Sequence, residues 1–303
     1  HTPFIDPAFD PKSTLTAGAE GHRTALQARP RKSSLYSHLL PKRKVNCSCP
    51  GPPPASQALR RTIGPKVAQD MQCFITPENA SYYILLQRTA LQLPVNRYFR
   101  LLRLGRFYDK YILRWFEILR KEEIARLYTK DIHQEYDSIK QFLPERAGKI
   151  LDIGCGIAGI DLLLYRHYHA CQSELSLLDK DLLSEKIYYG YKSSGAFYNS
   201  LSIAQTFLTA NAVPSSKILI YDPDADGFPR RERFDLIISL ISWGFHYPVE
   251  TYLEEVHGSL ADDGVLILDL RKGTDGRRSL AARFASVETI VDAEKYERVL
   301  VRK

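Results

Sequence analysis

Two spacings of apolar residues divide most of the chain. Between Thr76 and Phe142 they recur every three or four positions, as they do on helices that bury one face. Thr76 and Pro77 read as the N-cap and first position of one helix, and Pro94 as its end. The spacing continues at Phe99 and Leu102, then at Ile112, Trp115, Phe116 and Leu119. A last helix is expected over 128–142, with Ile132, Tyr136, Ile139 and Phe142 on one side. From Lys149 short apolar runs alternate with amphipathic segments, the pattern of an open, mostly parallel sheet covered by helices. Strands are expected at 149–153, 175–178, 218–221, 234–240 and 265–270, the last entered through a turn at Asp263 and Gly264. A helix is predicted over 249–260. Runs at 287–291 and 298–302, joined by 292–294, predict a closing antiparallel hairpin.

Residues 1–70 follow neither period. They hold 10 of the 17 prolines and 11 basic against 4 acidic residues, so the whole net charge of +7 lies there and residues 71–303 balance at 31 each. The expected organisation is a disordered, basic, Pro-rich tail over 1–75, a helical cap over 76–127 and an α/β domain over 128–303. Such a tail suits a transit peptide, a basic arm touching nucleic acid, or a segment with no part in the chemistry. The composition, 44% hydrophobic and 25% charged, excludes a wholly disordered chain, and no apolar run reaches the roughly 18 residues of a membrane span. Of five cysteines only Cys47 and Cys49 lie close together, which gives no zinc spacing and favours a reducing compartment. Cytoplasm is the expected location, or an organelle if the tail is a transit peptide. No metal is expected.

Arg97, Arg100, Arg103 and Arg106 recur every third residue and would form a slowly turning positive stripe on a helix. It is either a solvated face or a clamp for a phosphate or carboxylate, which makes Arg100 and Arg103 candidates for substrate binding.

The main chemical signal is the turn after the first strand. Gly154, Gly156 and Gly159 fit G-x-G-x-x-G between a strand and a helix, where glycine allows a tight turn and close approach of a ligand. Either a dinucleotide or an adenosyl-methionine ligand could use such a turn. Acidic residues at successive strand ends separate the two. A carboxylate at Asp152 would oppose a pyrophosphate, whereas it can accept hydrogen bonds from an ammonium group.

The stretch LDIGCGIAG resembles the first motif of the class I S-adenosylmethionine-dependent methyltransferase family, and the order of elements from Tyr128 to Lys303 follows that family. The resemblance implies a doubly wound, mostly parallel seven-stranded sheet of Rossmann-like type with S-adenosyl-L-methionine as cofactor. It implies that Asp152 and the backbone of Gly154, Cys155 and Gly156 hold the methionine part, and that Asp179 takes the ribose hydroxyls. Asp222 or Asp224 would face the adenine amino group, and Ser239 would line the cofactor floor. The long stretch between Asp179 and Ile218, with KIYYGYKSSGAFYNSL, is expected to contribute to a lid. No N/D-P-P-Y/F sequence follows the fourth strand, which argues against methylation of exocyclic base amines.

SLISWGFHYPVETYLEEV follows that strand instead, and resembles the place where small-molecule methyltransferases carry a histidine. Trp243 and His246 would then face the acceptor. His246, with an ordinary pKa of about 6.5, is the candidate general base for a hydroxyl acceptor. The expected reaction is O-methylation of a small polar or anionic molecule or glycan precursor. The alternatives are an NAD-type oxidoreductase, and a non-catalytic or RNA- or protein-directed member of the same fold. The charge balance of residues 71–303 makes nucleic acid an unfavoured partner away from the tail.

Overall fold

The structure is a computed structural model that describes residues 72–92, 96–102, 104–181 and 199–303. Among these residues the strands form one seven-stranded sheet of order β3-β2-β1-β4-β5-β7-β6. The parallel part comprises β1 (Lys149–Ile153), β2 (Glu174–Leu178), β3 (Ile218–Tyr221), β4 (Phe234–Ser239) and β5 (Leu260–Arg271). β6 (Ser286–Asp292) and β7 (Tyr296–Arg302) make the antiparallel hairpin, and β7 inserts between β5 and β6.

Alternation along the strands builds two cores. Ile150, Leu236, Ile238, Ile267 and Leu300 face one side, while Leu151, Ile237, Leu266, Leu268 and Val299 face the other. On the first side lie α1 (Ala80–Gln87), α2 (Asn96–Leu101), α3 (Gly105–Phe107), a π turn over Tyr108–Ile112, α4 (Leu113–Leu119), α5 (Lys121–Ile139), α6 (Gly159–His167) and α7 (Leu201–Ala210). On the second lie α8 (Leu253–Ser259) and α9 (Gly276–Ala281). Covered on both faces, the central strands read as near-continuous apolar runs.

Several boundaries differ from the sequence expectation for visible reasons. The first helix begins at Ala80, not at Thr76 and Pro77, because the preceding backbone is committed elsewhere. Ile75 N and O both bind the Asn211 amide, at 3.0 and 2.8 Å, and Phe74 N donates to Thr129 Oγ1 at 2.9 Å. Asn79 then turns into the helix with φ 65°. The boundary expected between 127 and 128 falls inside α5, which starts at Lys121. The turn expected at Asp263 and Gly264 is an irregularity within β5, where the register to β4 shifts. Pro94, the tail over 1–71 and most of the expected lid, 182–198, lie outside the described residues.

One ion pair joins several of these parts. Arg298 on β7 donates from Nε and Nη2 to the two carboxylate oxygens of Asp269 on β5, at 2.7 and 2.8 Å, with 2% and 0% of the side chains exposed. Its Nη1 donates to Ser138 Oγ on α5 at 2.7 Å, and Asp269 Oδ2 also accepts from Ile241 N at 3.0 Å. Each polar atom of the pair that the interior would otherwise leave bare thus has a partner. We expect Arg298→Ala to lower unfolding free energy by about 3–5 kcal/mol, since it strands a buried carboxylate, while Arg298→Met together with Asp269→Leu loses less. Urea unfolding followed by circular dichroism measures both.

Candidate active site

The carboxyl ends of β1, β2 and β4 meet at two adjoining clefts of about 150 and 400 Å³, which share Gly154, Asp179 and Tyr247. The chain leaves β1 through Gly154 and Gly156, with φ of 81° and 55°. Gly154 N donates to Leu178 O at 2.7 Å, which draws the turn onto the end of β2. A Cβ on Gly154 would overlap the side chain of Ser242, and one on Gly156 would lie 2.6 Å from Gln87 Oε1. Both glycines are therefore fixed by backbone conformation and by close neighbours from other elements. Cys155 contributes backbone only, because burial pushes its thiol well above the usual range and keeps it neutral.

Two carboxyl groups lie sealed beneath this turn. Asp152 is 3% exposed and Asp161, in the first turn of α6, is 0% exposed. The Asp161 oxygens meet no donor among the described residues. Burial raises the pKa of both groups, and the charge of each neighbour adds to it for Asp152. Among the described residues no cation pairs with them, since the nearby Arg88 is engaged by Glu135 at 2.6 and 2.9 Å and by Asp131 at 3.0 Å.

Asp179, at the end of β2, is half-buried in the wall of both clefts. Oδ2 accepts from Gly156 N at 3.0 Å and from Asn199 Nδ2 at 2.9 Å, and Oδ1 accepts from Lys180 N at 2.8 Å. Removal from bulk water raises its pKa to about 6, against the pull of these donors. Asn199 Oδ1 in turn accepts from Gln87 Nε2 at 3.2 Å. A chain of hydrogen bonds thus runs from the end of α1 to the carboxylate.

The loop after β4 supplies the facing wall. Ser239 Oγ donates to Ile153 O at 2.7 Å and accepts from Trp243 N at 3.0 Å, which locks the ends of β1 and β4 together. Ile241 has φ 53°, an uncommon conformation for a β-branched residue, and its N–H is held by Asp269. Ile241, Ser242, His246 and Tyr247 line the first cleft.

The structure brings together Asp152, Gly154, Cys155, Gly156, Asp179 and His246 in one cleft, and Asp224 lines the adjoining one. Asp224 pairs with Lys180 at 2.9 Å, whereas Asp222 Oδ1 accepts from Asp224 N and shapes the loop after β3. Ser239 is fully buried and serves the strand ends. Trp243, expected to face the acceptor, is directed into the second core, where its Nε1 donates to Val249 O at 2.9 Å. The side chains of Arg100 and Arg103 lie outside the described residues. Sequence reasoning missed Gln87, Arg88, Glu135, Asn199 and Tyr247. Tyr247 and Asn199 lie in stretches singled out for other reasons, whereas Gln87, Arg88 and Glu135 sit in no local motif and reach the cleft through tertiary contact.

No family model and no curated protein matches the sequence. Among solved structures, a precorrin-6y methyltransferase from Geobacter metallireducens aligns over 55% of this chain and 85% of its own, at 12% identity and a TM-score of 0.40. Human methyltransferase-like protein 13, in complex with SAH, aligns over 56% and 81%, at 17% identity and a TM-score of 0.39. A 16S rRNA methyltransferase from T. thermophilus, in complex with AdoMet and guanosine, aligns over 58% of this chain and 42% of its own, at 17% identity and a TM-score of 0.38.

Asp179 makes the unliganded protein sensitive to pH in a defined direction. Its pKa is raised in the folded state, so its contribution to stability is complete below the ordinary carboxylate range and is lost as pH rises to about 6. Stability of the wild type relative to Asp179→Asn should therefore fall between about pH 4 and pH 6 and level off above about pH 7. Thermal unfolding of both proteins across that range measures the difference.

Proposed function

We propose that the protein is a class I S-adenosylmethionine-dependent methyltransferase that acts on a hydroxyl group of a small polar or anionic molecule or glycan precursor. The observation that carries this reading is the pair of strand-end acids flanking the glycine turn: Asp152, with Asp161 behind it, and Asp179. An uncompensated carboxyl pair fits the ammonium end of the ligand, because a cation there offsets the negative charge that burial disfavours. Asp179 fits a vicinal diol, which would take the acceptor site that Asn199 Nδ2 occupies on Oδ2. The glycine turn leaves room between the two acids that the side chains of Ser242 and Gln87 now border, so a ligand there would lie against these two residues. In this reading the acids present suit the cofactor's ammonium group and its ribose diol.

Bound there, the cofactor would supply an activated methyl group for in-line transfer to a nucleophile. His246 shares the cleft with Asp152 and Asp179, and its role in this reading is to accept the proton of the attacking hydroxyl. Ser242 and Tyr247, on the same loop, would exclude water and orient the acceptor. The strand order supports this reading over an NAD-type oxidoreductase. Dinucleotide folds use six parallel strands in the order 3-2-1-4-5-6, whereas here the last strand runs antiparallel between β5 and β6. A pyrophosphate would also meet carboxylates at the glycine turn.

Calorimetric titration with S-adenosylmethionine, its demethylated product and NAD tests the assignment. We expect the first two to bind and NAD not to, with Asp179→Ala weakening binding by about tenfold to a hundredfold. Tight binding of NAD alone would overturn the reading. With labelled S-adenosylmethionine and a panel of hydroxyl acceptors, His246→Ala should lower turnover by roughly 10²-fold, and a loss under about tenfold removes the base assignment.

A further inference from the structure

The segment from Asn96 to Leu119 is apolar on two opposite sides. Tyr108 and Leu113 are fully buried against the body, and Phe116 packs beside them. Phe107, Tyr111, Trp115, Ile118 and Leu119 follow at intervals of three or four residues and face outward, with Trp115 68%, Ile118 78% and Leu119 72% exposed. Phe107 and Tyr111 touch, with ring centroids 5.2 Å apart, and Leu101 on α2 is 80% exposed. A contiguous exposed apolar patch of this kind marks a surface that another body covers.

Charge narrows the choice of what covers the outer side. Residues 96–121 contain 8 basic and 2 acidic residues, whereas the rest of 71–303 contains 23 basic and 29 acidic. In the sequence, the positive charge of residues 71–303 is thus concentrated on the segment that also exposes the apolar residues, although Arg114 and Arg120 are paired with Glu117 and Glu123. A second copy would set this positive segment against itself, and residues 1–70, at +7, carry the same sign. Nucleic acid has the complementary charge, and Phe107, Tyr111 and Trp115 could stack on bases, but the most exposed residues of the patch, Leu101, Ile118 and Leu119, are aliphatic and would gain nothing from that partner. Hydrocarbon accepts them.

We propose that this surface docks the protein onto an anionic lipid bilayer. Trp115 and its aliphatic neighbours enter the boundary between headgroups and acyl chains, and the net positive charge of the segment's sequence favours an anionic surface. α4 packs against α1, whose final residue Gln87 lines the cleft, so docking holds the covering helices of the cleft at the lipid surface.

The chain has two tryptophans, and Trp243 is fully buried, so changes in emission on adding lipid report Trp115. The full chain is mixed with vesicles of phosphatidylcholine containing about a third phosphatidylglycerol, with and without brominated acyl chains. We expect co-sedimentation, a blue shift and quenching by the brominated chains, and partition roughly tenfold or more weaker on phosphatidylcholine alone. The double variant Trp115→Glu with Ile118→Glu, at exposed positions, should unfold at the wild-type temperature and lose roughly tenfold or more of that partition. Several results would overturn the proposal: no partition, partition without quenching (charge attraction to the tail alone), or an undiminished double variant. A dimer in sedimentation equilibrium, or RNA retention without lipid binding, abolished by the same variant, would identify a different occupant and overturn it equally.

Discussion

Three carboxyl groups, those of Asp152, Asp161 and Asp269, are sealed in the interior near the carboxyl edge of the sheet, and they are treated in two opposite ways. Asp269 has a fork of guanidinium hydrogen bonds from Arg298 and a backbone donor at Ile241, so its charge is neutralised and its position fixed. Asp152 and Asp161 lie together with no cation among the described residues paired to them, and burial raises the pKa of both. The first arrangement is structural. The second leaves negative potential stored where a ligand can reach one of its members, because Asp152 lines the cleft. Low dielectric makes both choices consequential, since a buried charge without compensation is far more costly than one at the surface.

The two arrangements meet in the loop after β4. Asp269 holds Ile241 in a left-handed conformation, which carries Ser242 against Gly154 and His246 toward the cleft. The same ion pair reaches α5 through Ser138, on the helix that also supplies Tyr128, Ile132 and Glu135 to the cleft. Strain at one residue is sustained by hydrogen bonds that have no exposure to competing water.

Much of the fold could be read from local pattern. The strands over Lys149–Ile153 and Ile218–Tyr221 fall at their expected limits, because short apolar runs bounded by turn residues are self-defining. That Asp152, Gly154, Gly156 and Asp179 gather at one cleft was likewise legible, because strand-end and turn positions are set within a few residues. Gln87 and Asn199 were not: they are 112 positions apart and meet only because α1 closes over the glycine turn. Arg298 and Ser138 are 160 apart. Trp243 misled for a different reason. An aromatic residue in a polar loop suggests a binding surface, yet the carbonyl of Val249 satisfies its indole N–H and allows complete burial. The start of α1 was displaced by side chains of Asn211 and Thr129, which no local rule contains.

The position of β7 has a consequence for how the protein is made. It is the last of the seven strands in chain order but lies between β5 and β6, and it carries the arginine that neutralises Asp269. During synthesis the first five strands can pair as they emerge, while β5 waits with an open edge and an unmatched buried acid. The cleft wall that depends on Asp269 can therefore set only after the final strand has left the ribosome, so a nascent chain stalled before it would expose both an aggregation-prone edge and an unformed pocket.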